Sequence, residues 1–386
     1  MIILSVAIGL IAGIAVFALY NGMMKNRVKT VIESEVGHIQ LHDSFFKENY
    51  ESKYIIQNGE KILDIINRFS PINIAVPRSI THGMLSSTTG SSGVQINGII
   101  PELEYRASHL NNKIIEGDIF DSTKKNQIII GAKLASKLKL KRKSKLVLTL
   151  TDSSGTMVAG SFRVIAIYIS NNAPLDERMV YITMQDLNAL LTTGNSFQEI
   201  AVLLKNDEEV NNVQKKLQQI YPTLQIENWR EISPETYLLV KTVNQYAYII
   251  MVIIMMALSF GIVNTMMMAV LERTREIGMM VALGTNKSII FRLVLLETIF
   301  LTMAGTPVGI LTGWMATKYF NIHGIDLSGK GAELMSSFGF NYVIYPEFPL
   351  QALPYIILII IITAIIASLM PAIKALNLKP IIALSK

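Results

Sequence analysis

At 51% hydrophobic and only 17% charged residues, with a mean hydropathy of +0.40, this chain of 386 residues is too apolar for an ordinary soluble enzyme. The absence of cysteine, together with that apolar bias, excludes disulfide scaffolds, disordered chains and thiolate chemistry. A net charge of +6 is modest and makes no argument for nucleic acid.

The apolar residues are concentrated in four stretches. A membrane-crossing helix needs ~20 mostly apolar residues to cover ~30 Å of hydrocarbon, and residues 1–20 meet this without a charge. They carry Gly9 and Gly13 at the spacing that lets two helices approach closely. With no basic leader segment and three more spans to follow, this stretch reads as an anchor.

Residues 21–245 alternate strand and helix patterns, an α+β mixture without internal repeats. His38 and His42 are four apart, but their neighbours alternate as in a strand, which makes them polar positions on one face. Helices are expected over 60–69 and 132–140, and a mobile Ser/Thr/Gly-rich loop over 86–93. The basic run Lys133, Lys137, Lys139, Lys141, Arg142, Lys143 and Lys145 reads either as a solvated face entering a turn or as a contact for anionic head groups or an acidic protein. Strands are expected at Lys145–Thr151, 161–169, Met179–Thr183 and Glu199–Leu204. Asp207 is the expected N-cap of an amphipathic helix carrying Val210, Val213, Leu217 and Ile220. From Ser233-Pro234-Glu235 a single helix should run on into the membrane as a stalk.

The second span, 246–271, includes the polar residues Asn264 and Thr265. Residues 272–288 form a short loop of alternating charges and apolar residues, with Gly284 as a helix stop. The third span, 289–317, holds Glu297 about two turns in and a doubled small-residue stripe of Gly305, Gly309 and Gly313. A carboxyl group at that depth needs a partner, and Asn264 or Thr265 is the expected one. A loop at 318–353 leads to the fourth span, 354–371, expected to stop at Pro371, and then to a tail at 372–386. Arg273, Arg275 and Lys287, with Lys374, Lys379 and Lys386, place the 272–288 loop and both termini in the cytoplasm. The expected fold is therefore an α-helical membrane protein of four transmembrane helices with a large α+β extracytoplasmic domain between helices 1 and 2.

No phosphate-binding loop, nucleophile elbow, zinc-protease or kinase pattern is present, so the chain reads as non-catalytic. The loop residues Glu272, Arg273, Thr274, Arg275, Glu276, Gly278 and Gly284 mix both charges with an apolar face, which suits docking to a protein.

The string ERTREIGMMVALG, beginning at Glu272, resembles the signature of FtsX/MacB/LolC-type ABC transporter permeases. So do Pro371-Ala372 with Ala375, and Lys379-Pro380 with Ala383-Leu384. Asn21-Gly22-Met23, Gly37-His38-Ile39-Gln40, Gly98-Ile99 with Pro101, Glu102 and Glu104, and Gly131-Ala132 are similar to the lipoprotein-releasing LolC/LolE branch. The resemblance implies a dimer, homo- or heteromeric, driven by two separate ATPase subunits that carry ATP and Mg, the 272–284 segment coupling to them. It implies a bacterial inner-membrane location and a lipoprotein as substrate, with membrane lipid and a periplasmic lipoprotein carrier as further partners. Acyl chains would pass the outer ends of the first two spans at Val16, Leu19, Met23, Tyr246, Ile250 and Ile253. MacB-like export of peptides or small molecules and FtsX-like control of a periplasmic cell-wall hydrolase are the alternatives. Residues 171–178, around Pro174, are the candidate partner-binding hook.

Overall fold

The computed structural model describes residues 2–170, 172–327 and 335–376, folded as two compact units. The tail positions Lys379, Pro380, Ala383, Leu384 and Lys386, and Asn171 of the expected hook, lie outside the described residues.

One unit comprises residues 2–25, 239–326 and 343–376. It contains the apolar stretches of four helices long and apolar enough to cross a membrane. The span-one helix, Ile2–Val31, continues well past residue 20, and the span-two helix, Pro234–Glu272, is one unbroken rod of 39 residues. Span three is Lys287–His323. Span four, Leu353–Leu376, does not stop at Pro371 but runs one turn and more beyond it. The proline costs one backbone hydrogen bond, a loss that membrane helices tolerate when neighbours pack closely, and Ala367, Ala372 and Ala375 beside it are buried.

Glycines set the helix packing. A Cβ at Gly309 would lie 2.7 Å from Leu10 Cβ, and one at Gly305 or Gly313 would sit 3.0 Å from Ile3 O or Ile14 Cδ1. Gly9 and Gly13 receive span two in the same way, 2.6 Å from Leu258 Cδ1 and Met251 Sδ. The buried threonines of span three satisfy themselves: Thr298 donates to Val294 O, Thr302 to Thr298 O and Thr317 to Gly313 O, at 2.8–2.9 Å.

The other unit comprises residues 26–238, joined by Leu327 and 335–342 of the later loop. Arg27 donates to Gly339 O at 3.3 Å, and Asn341 to Asn26 Oδ1. Ten strands form its sheet: β1 (Ile39–Asp43), β2 (Ile72–Ser86), β3 (Ser91–Ile99), β4 (Ile114–Gly117), β5 (Gln127–Gly131), β6 (Lys145–Thr151), β7 (Met157–Tyr168), β8 (Met179–Thr183), β9 (Glu199–Leu204) and β10 (Leu224–Asn228). Their order is β10-β1-β9-β2-β3-β8-β5-β7-β4, with β6 pairing both β2 and β7. That last pairing closes β2-β3-β8-β5-β7-β6 into a ring around Leu85, Ile96, Ile128, Leu148, Val164 and Ile182. Closure removes exposed strand edges. The first half of β2 instead joins β9, β1 and β10 over a second core of Ile39, Leu41, Ile66, Ile200, Val202 and Leu217.

Two expectations are corrected here, and the segment of the expected hook takes a definite form. Residues 86–93 are the tip of the β2–β3 hairpin, with Ser87 N donating to Gly90 O at 2.8 Å, because alternating Ser/Thr/Gly suits a tight turn as well as a loop. Asp207 does not cap the helix Val210–Ile220: Asn206 caps the short turn Asp207–Glu209 that leads into it, and the Asp207 carboxylate accepts from His38 Nε2 at 2.7 Å. Residues 173–178 of the expected hook form a short helix whose Asp176 is buried and whose backbone allows only glycine at position 131. Within the basic run, Lys137 pairs with Glu177 and Arg142 with Asp118.

The unit also buries a charged cluster. Arg78 donates through Nε and Nη2 to both oxygens of Glu104, at 3.0 and 2.8 Å, and through Nη1 to Glu199 at 3.2 Å and to the Glu35 carbonyl. His42 Nε2 lies 3.0 Å from the other Glu199 oxygen. Burial works against the Arg78 charge, but Glu104 and Glu199 outweigh it and raise its pKa. Burial likewise opposes the Glu199 carboxylate, yet His42, Arg78 and Lys47 hold it below the usual range. Nearby, burial draws the Lys113 pKa down to about 8 and pushes that of Asp176 up to about 6.

Candidate functional site

The segment between spans two and three is built by its sequence in small, definite steps. Arg273 leaves the span-two helix, and Thr274–Ala282 forms a nine-residue loop helix. Gly284 ends it at φ +87°, a conformation that a side chain disfavours. Gly284 N donates to Val281 O and Thr285 N to Met280 O, the paired bonds that close a left-handed helix stop. Asn286 then accepts from Ser288 N at 3.0 Å and starts span three.

One face of the loop helix is anchored. Ile277 and Gly278 are buried, Ile277 among Val270, Ile290, Val294, Ala372 and Ala375 at the ends of spans two, three and four. The opposite face is open. Leu283 is 82% exposed and Met279, one turn away, 52%. Arg275 and Glu276 flank them and pair with no charged group among the described residues. A groove of about 410 Å³ runs beside them, lined by Met280 and Leu293 among others. An exposed apolar pair bracketed by charges without a partner among the described residues has the chemistry of a protein-docking surface.

Glu297 has a different partner from the expected one. Arg273 Nη1 donates to Glu297 Oε1 at 2.8 Å. Thr265 donates to Gly261 O within its own helix, and Asn264 is exposed. The long arginine side chain reaches from the loop to span three, whereas the short Thr265 hydroxyl is satisfied locally. Arg273 thus pins the loop, and Arg275 faces outward. A double-mutant cycle of Arg273→Leu and Glu297→Leu, read by thermal unfolding in detergent, should give a coupling of about 0.5–1 kcal/mol. Glu297→Gln, which still accepts from Arg273, should retain most of the stability; zero coupling would rule out the pair.

The outer-end residues differ in exposure. Val16, Leu19, Met23 and Ile250 are half-buried, and Tyr246 and Ile253 exposed. Spans one and two meet through Gly9, Gly13 and Phe17, the last in edge contact with Tyr248 at 5.1 Å. Sequence reasoning missed Leu283 and Met279, although their spacing of four, out of phase with Ile277, is the signal for an outward stripe.

Four apolar helices, an α+β unit and a charged loop helix fixed to the span ends define an integral membrane protein whose exposed loop helix is its candidate docking element. The FtsX-like permease C-terminal model matches residues 248–380, and the MacB-like periplasmic core domain model matches residues 1–220. The lipoprotein-releasing system transmembrane protein LolC of Haemophilus influenzae is 25% identical, covering 99% of this chain and 91% of that protein. LolC of Neisseria meningitidis is 22% identical over 84% of this chain and 80% of its own length. The solved periplasmic region of MacB from Actinobacillus actinomycetemcomitans aligns at 13% identity and a TM-score of 0.37, covering 56% of this chain and 94% of that one. The chain belongs to the FtsX/MacB/LolC-type ABC transporter permeases.

Proposed function

We propose that this permease works by mechanotransmission, extracting lipoproteins from the outer leaflet of the bacterial inner membrane with ATP and Mg bound on a separate ATPase dimer. The observation that carries the reading is the match to LolC over 99% of the chain, where the family models alone leave the cargo open. Two copies, or this chain and a second permease, form the membrane part. The loop Glu272, Arg273, Thr274, Arg275, Glu276, Gly278 and Gly284 couples it to the ATPase from the cytoplasmic side, where both termini also lie. Cargo stays outside the inner membrane. The scarcity of charge in the spans supports this, since a hydrophilic conduit would require polar walls.

MacB-like export is the second reading, favoured by the MacB-like core match over residues 1–220. Photo-crosslinkers at Val16, Leu19, Met23, Tyr246, Ile250 and Ile253 separate the two. Lipoprotein release predicts capture of an acylated protein in the absence of ATP and its loss on ATP addition. Equal capture of an unacylated peptide supports export instead, and capture of bulk lipid alone, with acylated protein present, rejects the lipoprotein reading.

A further inference from the structure

Spans three and four enclose an open groove of about 540 Å³, within the range of sites that hold a small ligand. Met303, Ile310, Leu311 and Trp314 line it from span three, Ile357 and Ile361 from span four. Pro307 and the short side chains of Thr306 and Ala364 leave the space unfilled. From Ile299 to Trp314 the groove follows the helix for about 22 Å at 1.5 Å per residue. One leaflet of a ~30 Å hydrocarbon core is ~15 Å deep, so a lipid chain fits along it without reaching the end.

One end of the groove is chemically marked. Trp314 and Phe348 close it, and Tyr355 of span four and Tyr319 of span three are exposed close by in sequence, as in the aromatic belts of membrane interfaces. One turn beyond Trp314, the Lys318 ammonium lies 5.0 Å over the indole ring. It pairs with no carboxylate among the described residues. Glu347, next to Phe348, is engaged by Lys25 at 2.6 Å. A fixed cation at the interface, above an apolar channel of acyl-chain length, is complementary to a lipid whose head group is negative.

We propose that this groove binds one anionic phospholipid, an acyl chain lying along Met303–Trp314 and Ile357–Ile361 and the phosphate resting at Lys318. The site is separate from the cargo path suggested at spans one and two, and its lipid does not depend on which cargo the permease serves.

The test uses the full-length chain in neutral detergent, mixed with equal phosphatidylglycerol and phosphatidylcholine and weighed by native mass spectrometry. About fivefold preferential retention of phosphatidylglycerol is expected from one interfacial lysine. Lys318→Gln should lower phosphatidylglycerol to the phosphatidylcholine level and leave the latter unchanged. Ile361→Trp, or the milder Met303→Phe, should reduce both by filling the groove, with an unchanged size-exclusion profile reporting an intact fold. Equal retention of the two lipids by the unmodified chain would overturn the proposal. So would indifference to both groove-filling changes, or loss of a second copy of the chain in place of lipid.

Discussion

Arg78→Met should destabilise the α+β unit by about 3–5 kcal/mol, because it leaves the Glu104 and Glu199 carboxylates buried without their cation. For a unit of this size the melting temperature would drop by roughly 6–20 °C. Arg78→Lys should lose less, since it keeps a charge but not the planar fork that meets both oxygens of Glu104. The pH dependence has a definite sign. In the unmodified protein the lowered Glu199 pKa contributes stability that is present above 4.5 and lost as pH falls through the lower folded value. Without Arg78, Glu199 loses one of the three groups that hold its pKa down, so less of that stability is lost on acidification. The gap between the two proteins should therefore narrow as pH falls through 4.5. A loss below about 1 kcal/mol at pH 7, measured by thermal unfolding, would show that the cluster is not structural.

Leu283→Asp should separate the permease from its ATPase without harming the permease. At 82% exposure the leucine contributes little to folding, so stability should change by no more than about 0.5 kcal/mol. In the proposed complex it would be buried, and replacing a buried leucine by a charge forfeits at least the ~1.5–3 kcal/mol of its burial. That is a tenfold to hundredfold weaker interaction. The ATPase should fail to co-purify, and substrate-stimulated ATP hydrolysis should disappear. Arg275→Glu should have the same direction, whereas Arg273→Glu should also loosen the loop from span three. Undiminished co-purification with Leu283→Asp would remove the loop helix as the docking element.

How far the fold can be read from the chain depends on which physical signal each part carries. The four apolar helices follow from hydropathy, and β6 from the alternation of Leu146, Leu148 and Leu150, buried while Lys145, Val147 and Thr151 are exposed. β2 carries no such signal. Most of its residues are buried on both faces and Pro77 interrupts it, so neither alternation nor composition suggests a strand. Pro77 is accommodated because β2 pairs there with β9, just before the pairing with β3 begins at Arg78. The motif residues Glu104, His38 and Gly131 resembled a family signature without a stated role. Folded, they are an ion-pair partner, a carboxylate partner and a close backbone approach. The Arg273–Glu297 pair escaped notice because it joins a loop to a helix 24 residues on, and local spacing rules see only one helix at a time.

The threonines of span three have a mechanical corollary. Their hydroxyls are spent on their own helix, and Gly305, Gly309 and Gly313 meet span one, so among the described residues what joins the two is dispersion contact with no directional bond to rupture. A helix pinned by cross-links must break them before it can shift register; one that rests on smooth glycine faces can slip or roll by an ångström or two at the cost of repacking alone. In the proposed mechanism span three would serve as a bearing surface, and a stroke delivered at the Arg273–Glu297 end should travel along it with little friction.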